Sequence, residues 1–145
     1  MDVIRICIPG KPQPLERNRH RIVRPKAGPA YVSNYLPTKS RNEQAIIRDF
    51  ASRAMRGNPP WEGPVDLRIV AYVPIPRSWS KKKQQQALEG RLLPVTKPDF
   101  DNYDKMVDAL KHVVWRDDSQ VCAHGFWKFY SPRPELVIEI RPIVL

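Results

Sequence analysis

From Val65 to Val73 the chain alternates: Val65, Leu67, Ile69, Ala71 and Val73 are apolar, with Asp66, Arg68, Val70 and Tyr72 between them. Successive side chains of a strand point to opposite faces, so this run predicts a strand with one dry face. Pro74 and Pro76 close it, because proline gives no donor to a ladder. A strand with one buried face needs a second layer to cover it. Prolines punctuate the rest of the chain as well, 16 of them in 145 residues.

Weaker signals place the other elements. Val3 to Ile8 is β-branched and apolar, a strand ended by Pro9-Gly10. Residues 11 to 38 read as a long basic loop. A helix runs from Thr38 to about Arg56, capped by Thr38 or Ser40, with Ala45, Ile46, Phe50, Ala54 and Met55 as its apolar side. Gly57-Asn58-Pro59-Pro60 stops it. Ser80 caps a short basic helix from Lys81 to about Leu88. A third helix is predicted from about Asp101 to Val113, then an extended stretch from Val121 to Tyr130 and a last strand over Leu136 to Ile140. The order β, loop, α, β, α, α, β, β predicts an α+β (mixed α/β) fold: a small mixed sheet packed with about three helices, as one domain over residues 1–145.

The net charge is +10, with 28% charged residues, and a soluble protein so basic usually meets a polyanion such as DNA or RNA. Lys11, Arg17, Arg19, Arg21, Arg24 and Lys26 crowd the predicted loop, opposed only by Glu16. Lys11, Arg17, Arg19, His20, Arg21 and Arg24, with Lys81, Lys82 and Lys83, are the expected phosphate contacts; the plainer reading of the loop is a solvated segment. Cys7 and Cys122 form no Cys-x-x-Cys pair, so a zinc site is not expected, and two buried free thiols in a reducing cytoplasm are. No apolar run approaches the ~20 residues of a membrane helix. The apolar N-terminus lacks a basic leader, so it reads as a strand rather than a signal peptide.

Of 15 acids, Asp99, Asp101, Asp104, Asp108, Asp117 and Asp118 fall within one short stretch of this basic chain. At about 3.6 residues per turn, Asp101, Lys105, Asp108 and His112 share a polar stripe. Tyr103, Met106, Val107, Leu110 and Val113 share the opposite, apolar side. Asp99 precedes the helix, and Asp117 or Asp118 can return to the same point. Such a set suits Mg²⁺, which takes a few carboxylates plus water and substrate phosphates, and Lys105 can stabilise developing charge. Each motif also has a plain structural reading: Asp101 as a cap, Asp101–Lys105 as a surface pair, Asp117-Asp118-Ser119 as a turn. Their coincidence in a basic chain favours a metal site. His112 reads as an exposed helix-end residue, and Trp61 and Trp79 as core or loop anchors, with base stacking as the alternative. Asp108 is either a fourth acid of the site or a structural residue.

At these residues the sequence resembles the RusA family of Holliday junction resolvases, especially its phage and prophage members. The similarity lies in Lys97-Pro98-Asp99-Phe100-Asp101-Asn102, Lys105, Asp108-Ala109-Leu110 and Arg116 to Val121, with further likeness at Ile8 to Pro12 and Pro74 to Lys83. Lys111-His112 stands where the family more commonly has an Asn-Gly turn. The resemblance implies a cytoplasmic homodimer that binds branched DNA, chiefly four-way junctions, and makes paired nicks with Mg²⁺ (Mn²⁺ as a substitute) in recombination and repair. It places Asp99, Asp101 and Asp118 as metal-holding catalytic carboxylates, with Asp117 as the alternative to Asp118, and Lys105 as the catalytic lysine. The competing readings are a basic branched-DNA-binding protein without cleavage, and a nuclease acting on flaps, forks or RNA.

Overall fold

A computed structural model describes residues 2–12 and 19–145. Strand β1 (Ile4–Pro9) is followed by a hairpin of β2 (Arg19–Val23) and β3 (Tyr31–Tyr35), helix α1 (Thr38–Met55), strand β4 (Val65–Pro74) and helix α2 (Lys81–Leu88). Helix α3 (Phe100–Asp104) leads directly into a 3-10 turn over Lys105–Ala109, and a second 3-10 turn over Asp118–Gln120 opens β5 (Val121–Ser131), before β6 (Glu135–Pro142). The main sheet has the order β1-β6-β4-β5. β6 is antiparallel to β1 and β4, while β5 runs parallel to β4, so the sheet is mixed and the fold is α+β, as expected.

Register builds the core. Leu67 faces Ile140, Ile69 faces Ile138 and Ala71 faces Leu136 across β4 and β6. Ile140 and Ile138 in turn face Ile4 and Ile6 of β1. All are buried, so the alternation along β4 becomes a continuous apolar stripe. Helix α1 lays Ile47, Ala51 and Met55, one turn apart, over it. Truncating a residue such as Ile69 to Ala would cost about 2–5 kcal/mol, because the packed neighbours collapse only partly into the void.

The buried face of α1 differs from the expected one. Ile47 is buried and Ile46 is 40% exposed. Apolar residues come in adjacent pairs here (46/47, 50/51, 54/55), and the sheet decides which member of each pair turns inward. The N-cap is Pro37, without a side-chain bond, and Ser40 is buried inside the helix. Ser80 does cap α2, accepting from the Lys83 amide at 3.2 Å.

Three other expectations are corrected. The basic segment from 11 to 38, expected as loop, contains the β2–β3 hairpin, in which Ile22 pairs with Val32 and Val23 with Tyr31. Its strands are short and its arginines mask the alternation; Gly28, with φ 101°, lies between them. The third helix stops early. After Asp104 the chain tightens to a 3-10 turn, then reverses around His112, which adopts the left-handed φ of 66° and donates its amide to the Trp115 carbonyl at 2.6 Å. The reversal carries Val114 and Trp115 fully into the core. Finally, Cys7 and Cys122 are exposed, not buried. Cys7 sits between Ile6 and Ile8 on a strand whose other face is the dry one. No helix of the described residues is long and apolar enough to cross a membrane.

Candidate active site

The acidic segment lies across one face of β5. Pairing sets His124 beside Leu67, Phe126 beside Ile69 and Lys128 beside Ala71, so alternate β5 side chains share the core face of β4. Each holds a piece of the segment. His124 Nε2 bonds Asp104 Oδ1 at 2.8 Å, and its Nδ1 lies 3.3 Å from the Leu67 carbonyl. Phe126 stacks on Tyr103 with ring centroids 5.2 Å apart. Lys128 Nζ donates to the carbonyls of Thr96 at 2.8 Å and Pro98 at 3.2 Å, fixing the chain just before Asp99. Tyr103, Met106, Ala109 and Leu110 then bury the apolar side of α3 and its 3-10 turn.

The site residues fall into two neighbouring groups. In the first, Lys97 Nζ donates to both Asp99 oxygens at 2.9 and 2.8 Å. This bond, the charge of Asp99 and, more weakly, that of Asp101 hold the Lys97 ammonium above its usual range. Asp99 starts α3 in extended conformation, and no side-chain capping bond ties its carboxylate to the helix. In the second group, Lys105 Nζ reaches Asn102 Oδ1 at 3.4 Å. Residues three apart eclipse in a 3-10 turn, so Asp108 comes onto the side of Lys105. Desolvation of its carboxyl and then the charge of Asp118 push Asp108 up, although the residue is exposed overall; Lys111 and Lys105 oppose this.

The two aspartates at the end of the segment do different work. Asp117 is an N-cap: its Oδ1 accepts from the Ser119 amide at 2.9 Å, and its own amide donates to Gln120 Oε1 at 2.9 Å. The Ser119 bonds, helped by Lys111, hold its carboxyl down to about 2. Asp118 is half-buried, and its Oδ1 accepts from the Trp115 indole N–H at 2.9 Å. One oxygen of Asp118 is thus aimed by a fully buried ring, while Asp117 is committed to a turn. Gln120 ties that turn to the fold by donating to the carbonyls of Trp61 and Gly63.

Asp99, Asp101 and Asp118 offer only oxygen donors, which suits a hard divalent cation. Among the described residues, however, no three Asp, Glu, His or Cys side chains are gathered closely enough to hold one. The expected basic contacts are dispersed. Arg19, His20, Arg21 and Arg24 are exposed on the hairpin, as is Lys26 in its connecting loop, and Arg21 lies 5.3 Å from the Tyr35 ring centre; Arg17 lies outside the described residues. Lys11 is exposed just after β1, and Lys81, Lys82 and Lys83 are exposed on α2. His112 is exposed, but at a chain reversal rather than a helix end. Trp61 is an anchor: it packs against the core, and its indole donates to the Pro64 carbonyl at 3.4 Å.

Sequence reasoning passed over His124, Lys128 and the partner role of Asp104. The available signal was the period-two run His124, Phe126, Lys128 and Tyr130, in which two polar residues sit on the side a strand buries.

The sheet and the acid-rich segment across it are the frame of a small α+β DNA nuclease. The family described as endodeoxyribonuclease RusA matches residues 9–141, and the chain belongs to that family. It is also 38% identical over 146 residues to the uncharacterized protein YqaN of Bacillus subtilis (strain 168), covering 99% of both chains.

Proposed function

We propose that this chain is a Mg²⁺-dependent endodeoxyribonuclease that resolves four-way DNA junctions by paired nicks, serving recombination and repair in the cytoplasm. The observation that carries the reading is the family match, which spans nearly the whole chain and contains Asp99, Asp101, Lys105 and Asp118. Asp99, Asp101 and Asp118 would hold the ion, Mg²⁺ or Mn²⁺ in its place. When bound, the ion offsets charge on the scissile phosphate and acidifies a water molecule. Lys105 places a cation beside the developing negative charge. Trp115 keeps Asp118 oriented, and Lys128 keeps the lead-in to Asp99 in place. The exposed lysines and arginines hold phosphates on either side. A two-fold homodimer would present two such sites to a junction of matching symmetry.

The test is a Mg²⁺ titration on a labelled four-way junction with the wild-type chain and Asp101→Asn. Paired nicks by the wild type alone, with junction binding kept in both, are expected. Full cutting by Asp101→Asn would overturn the mechanism. One observation favours a second reading, a branched-DNA-binding protein without cleavage: Asp99 and Asp118 are already engaged by Lys97 and Trp115. In that case the titration shifts the DNA and never nicks it. Side-by-side cutting of flaps, forks and RNA tests the choice of substrate.

A further inference from the structure

A groove of about 660 Å³ opens beside Asp99. One wall is the end of β4 with Trp79; the other is the Thr96–Pro98 lead-in that Lys128 holds. Trp79 stands edge-to-face with Tyr130, centroids 5.2 Å apart, and Lys83 Nζ sits 4.0 Å from the indole centre. Gln84 fixes the turn by donating to the Trp79 carbonyl at 2.8 Å. Lys11 and Lys97 lie at the rim. Tyr103, fully buried and stacked on Phe126, forms part of the lining.

We propose that this groove receives one unpaired nucleotide of the DNA substrate, its base against Trp79 and Tyr130 and its phosphates at Lys11 and Lys97. Several features select that occupant. The volume suits a small ligand rather than a chain segment with its own side chains. The walls are aromatic and apolar, as base stacking requires. The rim is cationic on a chain of net charge +10. The lead-in wall continues directly into Asp99, so a nucleotide held here would lie next to the bond that the site is proposed to cut. The inference rests on the DNA-binding part of the proposed function, and its test does not use cleavage.

The test compares binding of a short oligothymidylate with that of an abasic phosphodiester of equal length and charge, so that the ionic part of binding cancels. The wild-type chain should prefer the oligothymidylate by roughly tenfold. Trp79→Leu should bind both alike while keeping its affinity for the abasic strand. Equal binding of the two strands by the wild type overturns the proposal. So does an unchanged preference in Trp79→Leu. Loss of self-association in Trp79→Leu with base preference unchanged would assign the groove to a second copy of the chain, and overturns it too. A wild type that never nicks a junction but still prefers bases would remove the nuclease reading and leave the groove standing.

Discussion

Two charged regions of this molecule are built in opposite ways. The acidic segment from Thr96 to Gln120 is held at nearly every turn: by Lys128 at its start, Phe126 and His124 in its middle, and Gln120 at its end. The basic β2–β3 hairpin pairs with itself, and among the described residues no other helix or strand packs extensively on it. Ile22 and Val32, cross-strand partners, are 63% and 65% exposed. Chemistry at one phosphate needs groups fixed to a fraction of an ångström, and that demands a packed support. Gathering a polyanion needs only charge and reach, because ionic attraction is long-ranged and tolerant of position. A two-stranded hairpin is marginal alone, so the basic arm is the part expected to order against a partner.

Substitutions can break that contrast. Asp101→Asn should lower junction cutting at least about a hundredfold in single-turnover assays while leaving gel-shift affinity intact. Lys128→Met frees the lead-in without touching the acids. It should cost about 1–3 kcal/mol in denaturant unfolding, because two charge-assisted bonds disappear, and about tenfold or more in cutting. A hairpin variant, Arg24→Ala with Lys26→Ala, should do the reverse. Unfolding should stay within about 0.5 kcal/mol of wild type, while the slope of log affinity against log salt shallows by about one for each phosphate no longer neutralised. If the hairpin variant were the one to unfold the protein, the contrast would be wrong.

Smaller effects sharpen the anchored side. The Asp117 carboxyl is held down to about 2 in the folded chain, below its ordinary 3.8. A depressed carboxylate contributes stability that is present above the ordinary value and lost as pH falls toward the folded one. Asp117→Asn should therefore flatten the loss of stability of the wild type between about pH 4 and 2, read from thermal unfolding at each pH. His112→Gly should stabilise by about 0.5–1 kcal/mol, because a residue with a Cβ is strained in a left-handed φ that glycine adopts freely.

The family motif and the fold class were legible without coordinates. The β4 alternation, the Ser80 cap and the apolar side Tyr103, Met106 and Leu110 are local patterns, and local patterns survive folding when tertiary contacts agree with them. The helical stripe that grouped Asp101, Lys105, Asp108 and His112 did not survive. Its premise was a regular helix to Val113, and the need to bury Trp115 tightened and then reversed the chain. Asp108 still reaches Lys105, but through a 3-10 turn. Apolar neighbours point both cysteines inward, whereas strand alternation turns Cys7 outward.

What the sequence determined by itself is therefore the material: a one-sided strand, a basic excess and a concentration of acids next to Lys105. Spacing along the chain and residue chemistry are sufficient for those. Only the tertiary structure decided that Asp117 is committed to a cap while Asp118 answers to Trp115. It also decided that β5 grips the acidic segment and that Trp79, Tyr130 and Tyr103 enclose a groove beside Asp99. Those outcomes depend on pairings between residues far apart in the chain, such as Leu67 with His124, and on which side of a strand or turn the buried core leaves open.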